Sequence, residues 1–166
     1  MPSRDTLGQE ADAMKRYAIT LTRNMDDADD LVQDCMERAL RKWTLRAAGV
    51  PLRGWLFTMM RNLHVDRWRR QKRQAASQGD PESTAPVLPP NQDDHVELNK
   101  LLAHVMALPD DQRIALILVS VEGFTYGEAA KTLGVPEGTV LSRVSRARAA
   151  LRAATGDAAP KLRSVK

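Results

Sequence analysis

"QAASQGDPESTAPVLPPNQDD", residues 74–94, constrains the fold of this chain more than any other stretch. It holds four prolines, small polar residues and no aromatic side chain. Such a segment cannot bury enough apolar surface to offset the entropy of ordering it, so an extended linker is expected. A linker there denies the 166 residues one common core. It leaves residues 1–73 and 95–155 as two small domains, with residues 156–166 as a basic tail.

Charge divides at the same place. Residues 1–73 carry 15 basic and 10 acidic side chains, residues 74–100 one basic and five acidic, and residues 101–166 nine basic and six acidic. Two basic blocks flank an acidic strip, a distribution that suits nucleic acid without identifying it.

On both sides of the strip the apolar residues recur at helical spacing, and no alternating strand pattern stands out. The first block predicts helices over Ala11–Arg23, about Asp27–Lys42 and about Leu52–Gln71. The second of these carries Ala28, Leu31, Val32, Cys35, Met36, Ala39 and Leu40, and the third Trp55, Leu56, Met59, Met60, Leu63 and Trp68. The second block predicts helices over Val96–Leu108, Asp110–Glu122, Tyr126–Leu133 and from Glu137 onward. In "LPDDQR", proline and two acids mark a helix start. The fold class is all-α.

The last two helices form a corner. In "FTYGEAAKTLGVPEGTVLSRVSRAR", Ala129, Ala130 and Leu133 give the first an inner face, and Gly134 suits the backbone that ends it. On the second, Val140, Val144, Ala147 and Leu151 form an inner stripe, while Thr139, Ser142, Arg143, Ser145 and Arg146 occupy the rest, with Arg148 and Arg152 on a flank. A helix-turn-helix has this form, its second helix offering hydroxyls and guanidiniums to base edges and phosphates. An ordinary amphipathic corner with a charged outer face satisfies the same pattern.

Two further surfaces stand out in the first block. "DDADDLVQDCMERAL" leaves Asp29, Asp30, Gln33, Asp34 and Glu37 opposite its apolar face, either as a solvated surface or as a docking one. "PLRGWLFTMMRNLHVDRWRRQKR" gathers Arg53, Arg61, Arg67, Arg69, Arg70, Lys72 and Arg73 around Trp55 and Trp68, with Asn62 and His64 between. Charge beside flat faces suits unstacked bases, although core anchoring accounts for a tryptophan equally well, and for Trp55 better.

Other classes find little support. Cys35 is the one cysteine, so there is no disulfide framework and no cysteine cluster for zinc; a small buried apolar role is expected. His64, His95 and His104 have no metal-ligand spacing, and no glycine-rich phosphate loop occurs, so neither an enzyme, a metal nor a cofactor is expected. Charge interrupts the N-terminal stretch and no membrane-length apolar run follows, so a cytoplasmic protein without membrane insertion is expected, associated with the nucleoid when active.

In this order the segments resemble the small, extracytoplasmic-function type of bacterial sigma factor in the sigma-70 family. "DDADDLVQDCMERAL" is similar to regions 2.1–2.2, "LRGWLFTMMRNLHVDRWRR" to regions 2.3–2.4, and "LPDDQRIALILVSVEGFTYGEAAKTLGVPEGTVLSRVSRARAALR" to region 4. Two positions depart from the pattern: Asp34 stands where glutamate is usual, and Leu141 where a basic residue is common. The resemblance implies that Asp29, Asp30, Leu31, Gln33 and Asp34 dock on the clamp coiled coil of the largest subunit of core RNA polymerase. It implies that the loop at residues 45–53, with Arg53, Arg61, Asn62, Arg67, Arg69 and Arg70, opens promoter DNA at the −10 element and holds a flipped base. It assigns Thr139, Ser142, Arg143 and Arg146 to the −35 element, with Arg148 near phosphate, and implies an anti-sigma factor as a further partner. A stand-alone helix-turn-helix regulator would need only the second block. A sigma-like decoy for an anti-sigma factor would be expected to lose the DNA-facing arginines present here.

Overall fold

The computed structural model describes residues 4–78 and 96–156, which form seven α-helices and contain no strand. The helices divide into two compact units, three before the acidic strip and four after it. Most of the strip, His95 and the basic tail after Gly156 lie outside the described residues.

The first unit comprises α1 (Arg4–Thr22), α2 (Met25–Arg41), a 3-10 turn at Trp43–Leu45 and α3 (Leu52–Gln78). Helix α1 starts a full two turns before the predicted Ala11. Leu7 is buried and continues the stripe of Met14, Ala18 and Leu21 toward the N-terminus, so the added turns have a core to face. The α1–α2 corner is built by polar chemistry. Arg23 takes a left-handed backbone, φ 57°, and Asn24 caps α2, its side-chain oxygen accepting from the amides of Asp26 at 2.9 Å and Asp27 at 3.1 Å. Those two aspartates also put negative charge at the positive end of the helix dipole.

Ala28, Leu31, Cys35 and Ala39 carry the buried face of α2, whereas Leu40, predicted on that face, is exposed. Helix α3 brings Leu56, Phe57, Met60 and Leu63 into the core, with Phe57 stacked on Tyr17 at 4.5 Å between ring centroids and 3° between planes. The α3 N-terminus is tied to α1 by Arg53, whose Nε lies 2.7 Å from Oε2 of Glu10. At its other end α3 runs through Gln78, past residue 74 where the linker was expected to begin. The reason is local: Gln-Ala-Ala-Ser tolerates a helix, and the first breakers are Gly79 and Pro81.

The second unit comprises α4 (Val96–Met106), α5 (Asp110–Ser120), α6 (Tyr126–Leu133) and α7 (Glu137–Thr155). Pro109 precedes α5, and Asp110 and Asp111 fill its first turn, as "LPDDQR" predicts. Arg113 of that motif is fully buried: Nη1 donates to the carbonyl of Leu108 at 3.1 Å and lies 3.0 Å from Oδ1 of Asp110, so one guanidinium pins the α4–α5 turn. A capping box starts α6, with the Glu128 amide donating to Oγ1 of Thr125 at 3.1 Å and the Thr125 amide donating to Oε2 of Glu128 at 2.8 Å. Gly134 ends it at φ 66°, a conformation any Cβ would strain. Helix α7 then buries the predicted stripe of Val140, Val144, Ala147 and Leu151.

Two measurements check this core. Cys35 is buried, its Sγ donates to the Leu56 carbonyl at 3.5 Å, and burial, only partly offset by Arg38, pushes the thiol from an ordinary 9.0 up to about 12. Burial likewise raises the Tyr17 hydroxyl, against a smaller opposing effect of Arg61. Both groups favour the native state while they are protonated, because the unfolded chain ionises first. The stability they contribute is intact below about pH 9 and drains away as pH climbs toward 12. The first unit is therefore expected to lose urea resistance over that window, and Cys35 to react with an aromatic disulfide at pH 8 only as the unit unfolds; immediate labelling of native protein would contradict the buried thiol. Arg53→Ala strands the half-buried Glu10 carboxylate, and its urea midpoint is expected to fall by the equivalent of about 1–2 kcal/mol with unchanged m-value.

Candidate functional site

With the apolar stripes turned inward, each unit presents polar faces whose composition follows from helical rotation. On α2, Asp29, Asp30, Gln33 and Asp34 are all exposed. Leu31, expected among the docking residues, is fully buried instead, because it sits on the core stripe between Ala28 and Cys35; it holds the face in place without belonging to its surface. The exposed residues are not equivalent. Asp29 pairs with Nζ of Lys15 on α1 at 3.0 Å, and Asp34 pairs with Arg67 of α3. Gln33 approaches Glu37 at 3.5 Å, while Asp30 points outward with no partner among the described residues.

The −10 candidates separate along α3. Arg53 pairs with Glu10 and ties α3 to α1. Arg61 is half-buried near the Tyr17 hydroxyl, and Arg67 is drawn toward α2 by Asp34. Asn62, Arg69 and Arg70 are exposed. The structure thus joins, in the pair of Asp34 and Arg67, two residues for which the resemblance implies different partners. Both belong to i, i+3 or i+4 series on their own helices, but nothing in the sequence announces a pair 33 residues apart.

Two aromatic features frame this basic helix. Trp55 is half-buried and meets Trp43 edge-to-face at 6.1 Å, with the Arg46 guanidinium 4.9 Å over the Trp43 ring. Leu45, in the adjoining turn, is 76% exposed. Trp43 escaped the sequence reading because it falls at a helix end, where periodicity carries no information. Trp68 is exposed, with Nζ of Lys72 4.9 Å over its ring, in an open groove lined also by Arg69, Arg73 and Ala76. It is not a core anchor, and the groove extends the basic surface one turn beyond Arg70.

In the second unit the outer face of α7 holds Ser145 and Arg146, exposed, with Ser142 half-buried beside them. The Ser142 hydroxyl donates back to the Gly138 carbonyl at 3.1 Å, so toward any further group its oxygen can only accept. Thr139 is half-buried at the start of the helix. Arg143 leans toward α5, where its Nε lies 3.7 Å from Oδ2 of Asp111. Arg148, expected near phosphate, turns inward: its Nε is buried and its Nη2 reaches the Ser120 hydroxyl at 3.4 Å. It lies close enough to the inner stripe for α5 to claim it, which makes Ser142, Ser145 and Arg146 the prominent outward polar set. Among the described residues no helix is long and apolar enough to cross a membrane, and no cluster of metal-ligating side chains occurs.

The two units coincide with two known sequence families. Residues 8–74 match the model for Sigma-70 region 2, and residues 98–151 match the model for Sigma-70, region 4. The chain is 39% identical over 150 residues to the ECF RNA polymerase sigma factor EcfG of Rhodopseudomonas palustris, covering 90% of this chain and 83% of that one. It is 37% identical over 159 residues to the ECF RNA polymerase sigma factor SigE of Mycolicibacterium smegmatis, covering 92% of this chain and 61% of that one. Among solved structures it is similar to the sigma factor RpoE in complex with the anti-sigma factor NepR from Bartonella quintana, with a TM-score of 0.84, 32% identity and coverage of 95% of this chain and 98% of that one. It is also similar to CnrH in complex with the cytosolic domain of CnrY, with a TM-score of 0.65, 25% identity and coverage of 95% and 92%. The acidic face of α2, the basic aromatic flank of α3 and the helix-turn-helix of α6 and α7 are therefore those of a chain that belongs to the extracytoplasmic-function RNA polymerase sigma factors.

Proposed function

We propose that this sigma factor docks on the largest-subunit clamp of core RNA polymerase through α2, melts the −10 element along the α2–α3 loop and α3, and reads the −35 element with α7. The observation that carries the reading is the seating of α7. Its apolar stripe is buried behind a left-handed glycine turn, which leaves Ser142, Ser145 and Arg146 facing outward from the exposed half of a helix-turn-helix.

Asp30 supports the docking assignment, because it is an exposed carboxylate with no partner among the described residues, while Asp29 and Asp34 are partly neutralised by Lys15 and Arg67. On α3, Asn62, Arg69 and Arg70 offer a hydrogen-bonding amide and charge along one exposed flank, and Arg67 joins them when Asp34 is engaged by a partner. A base flipped from the duplex costs a few kcal/mol, about what one stacked contact and a positive surface return. Trp43, Trp55 and Leu45 border the loop where such a base would lie. The polymerase performs the chemistry, and this chain supplies address and strand opening. The similar sigma factor RpoE from Bartonella quintana is in complex with the anti-sigma factor NepR, which makes control by such a partner part of the same reading.

Charge reversal separates the two units. Asp30→Arg is expected to weaken binding to core polymerase at least tenfold while an isolated helix-turn-helix interaction with upstream duplex is retained; unchanged core affinity in a titration of labelled protein would remove the docking face from α2. Arg143→Ala with Arg146→Ala is expected to abolish upstream-element protection in a footprint of the holoenzyme without altering core affinity. Loss of both activities would mean that α7 serves the fold of the second unit and not DNA.

A further inference from the structure

Leu141 is 53% exposed in the second turn of α7, although the inward residues of that turn are Val140 and Val144 and both are buried without it. An exposed leucine contributes little to the fold. One turn earlier stands Gly138, in ordinary helical backbone, where an added Cβ would meet nothing within 4 Å. Neither backbone conformation nor packing requires a glycine there, and glycine weakens a helix relative to alanine. Two local preferences are therefore broken side by side on one surface, and such breaks gather where a surface serves something outside the fold.

The two residues make one feature. Helical side chains lean toward the N-terminus, so Leu141 lies over the turn that opens at Gly138, where no Cβ stands beside it and the space is open. Ser142 is the next residue, its hydroxyl proton already given to the Gly138 carbonyl. In the major groove the one apolar group on a base edge is the 5-methyl of thymine. A leucine beside a glycine gap is complementary to that methyl, while the neighbouring serine oxygen can accept from an adjacent amino group.

We infer that Leu141, with Gly138, is a specificity-determining contact that reads a thymine methyl in the upstream promoter element. The inference rests on the reading that α7 enters the major groove. A basic side chain at this position would seek phosphates or guanine edges; leucine can gain nothing from either and discriminates by the methyl.

The test uses the full chain bound to core RNA polymerase. A duplex library randomised over the upstream element yields the preferred sequence, and each thymine on either strand is then replaced by deoxyuridine, which removes the methyl alone. One position is expected at which the wild-type complex weakens about fourfold, the worth of a buried methyl group, and at which Leu141→Ala binds thymine and uracil alike. Gly138→Ala is expected to blunt the same preference while melting no lower than wild type. A preferred sequence without thymine, equal binding of thymine and uracil throughout, or a penalty that survives in Leu141→Ala would overturn the inference. Failure to select any upstream sequence, with Arg143→Ala and Arg146→Ala together also without effect, would instead sink the reading of α7 and this contact with it.

Discussion

The burial of one narrow stripe, Val140, Val144, Ala147 and Leu151, against the helices preceding α7 sets the rotation of that helix, and everything the second unit offers to a partner depends on it. A rotation by one residue would turn about 100° and bring Leu141, Ser145, Arg148 and Arg152 to the seam in place of Val140, Val144, Ala147 and Leu151. The stripe resists that exchange because each buried aliphatic side chain is worth about 1.5–3 kcal/mol and the serine and arginines would arrive unsatisfied. Ala129 and Ala130 allow the close crossing, and Gly134 supplies the turn that a side chain would strain. The same logic places the acidic face of α2, since Ala28, Leu31, Cys35 and Ala39 can only be inside if Asp30 and Asp34 are outside.

Arginine takes on several tasks in this chain, and residue type alone does not separate them. Arg113 is wholly buried and holds a turn, Arg53 joins α3 to α1, Arg148 faces Ser120, and Arg146 is left to the surface. A guanidinium has five donors on a long stem, so it can reach a neighbouring helix from a position that helical geometry places on the flank. The pair formed by Asp34 and Arg67 goes further, because it links the face assigned to the polymerase with the flank assigned to melted DNA. That gives the two surfaces a direct electrostatic connection within one small unit.

The aromatic residues show a similar division. Tyr17 and Phe57 stack inside the first unit and close its core. Trp43 and Trp55 meet at its margin, with Arg46 over one ring, and Trp68 lies open to solvent under Lys72. The progression from closed core to open flank follows the rise in basic residues along α3. The composition of that helix, apolar at the start and basic at the end, therefore already describes a rod with one end in the protein and the other available to an anion.

The amino-acid sequence by itself determined the helices, the division into two units and the identity of the inner stripes. These depend on 3.6-residue periodicity, on capping and turn residues such as Asn24, Thr125 and Gly134, and on a proline-rich strip, all of which act within a few residues of themselves. It also located the acidic face, the basic helix and the helix with outward serines and arginines, because a helix with one face buried has the other left over. Tertiary structure decided which members of each set are available. Arg53 went to Glu10, Arg148 to Ser120 and Arg67 to Asp34, while Trp68 and Leu141 stayed outside. Those outcomes depend on how far a side chain on one helix stands from a group on another, and contacts separated by 28 to 43 residues leave no local pattern in the sequence to read.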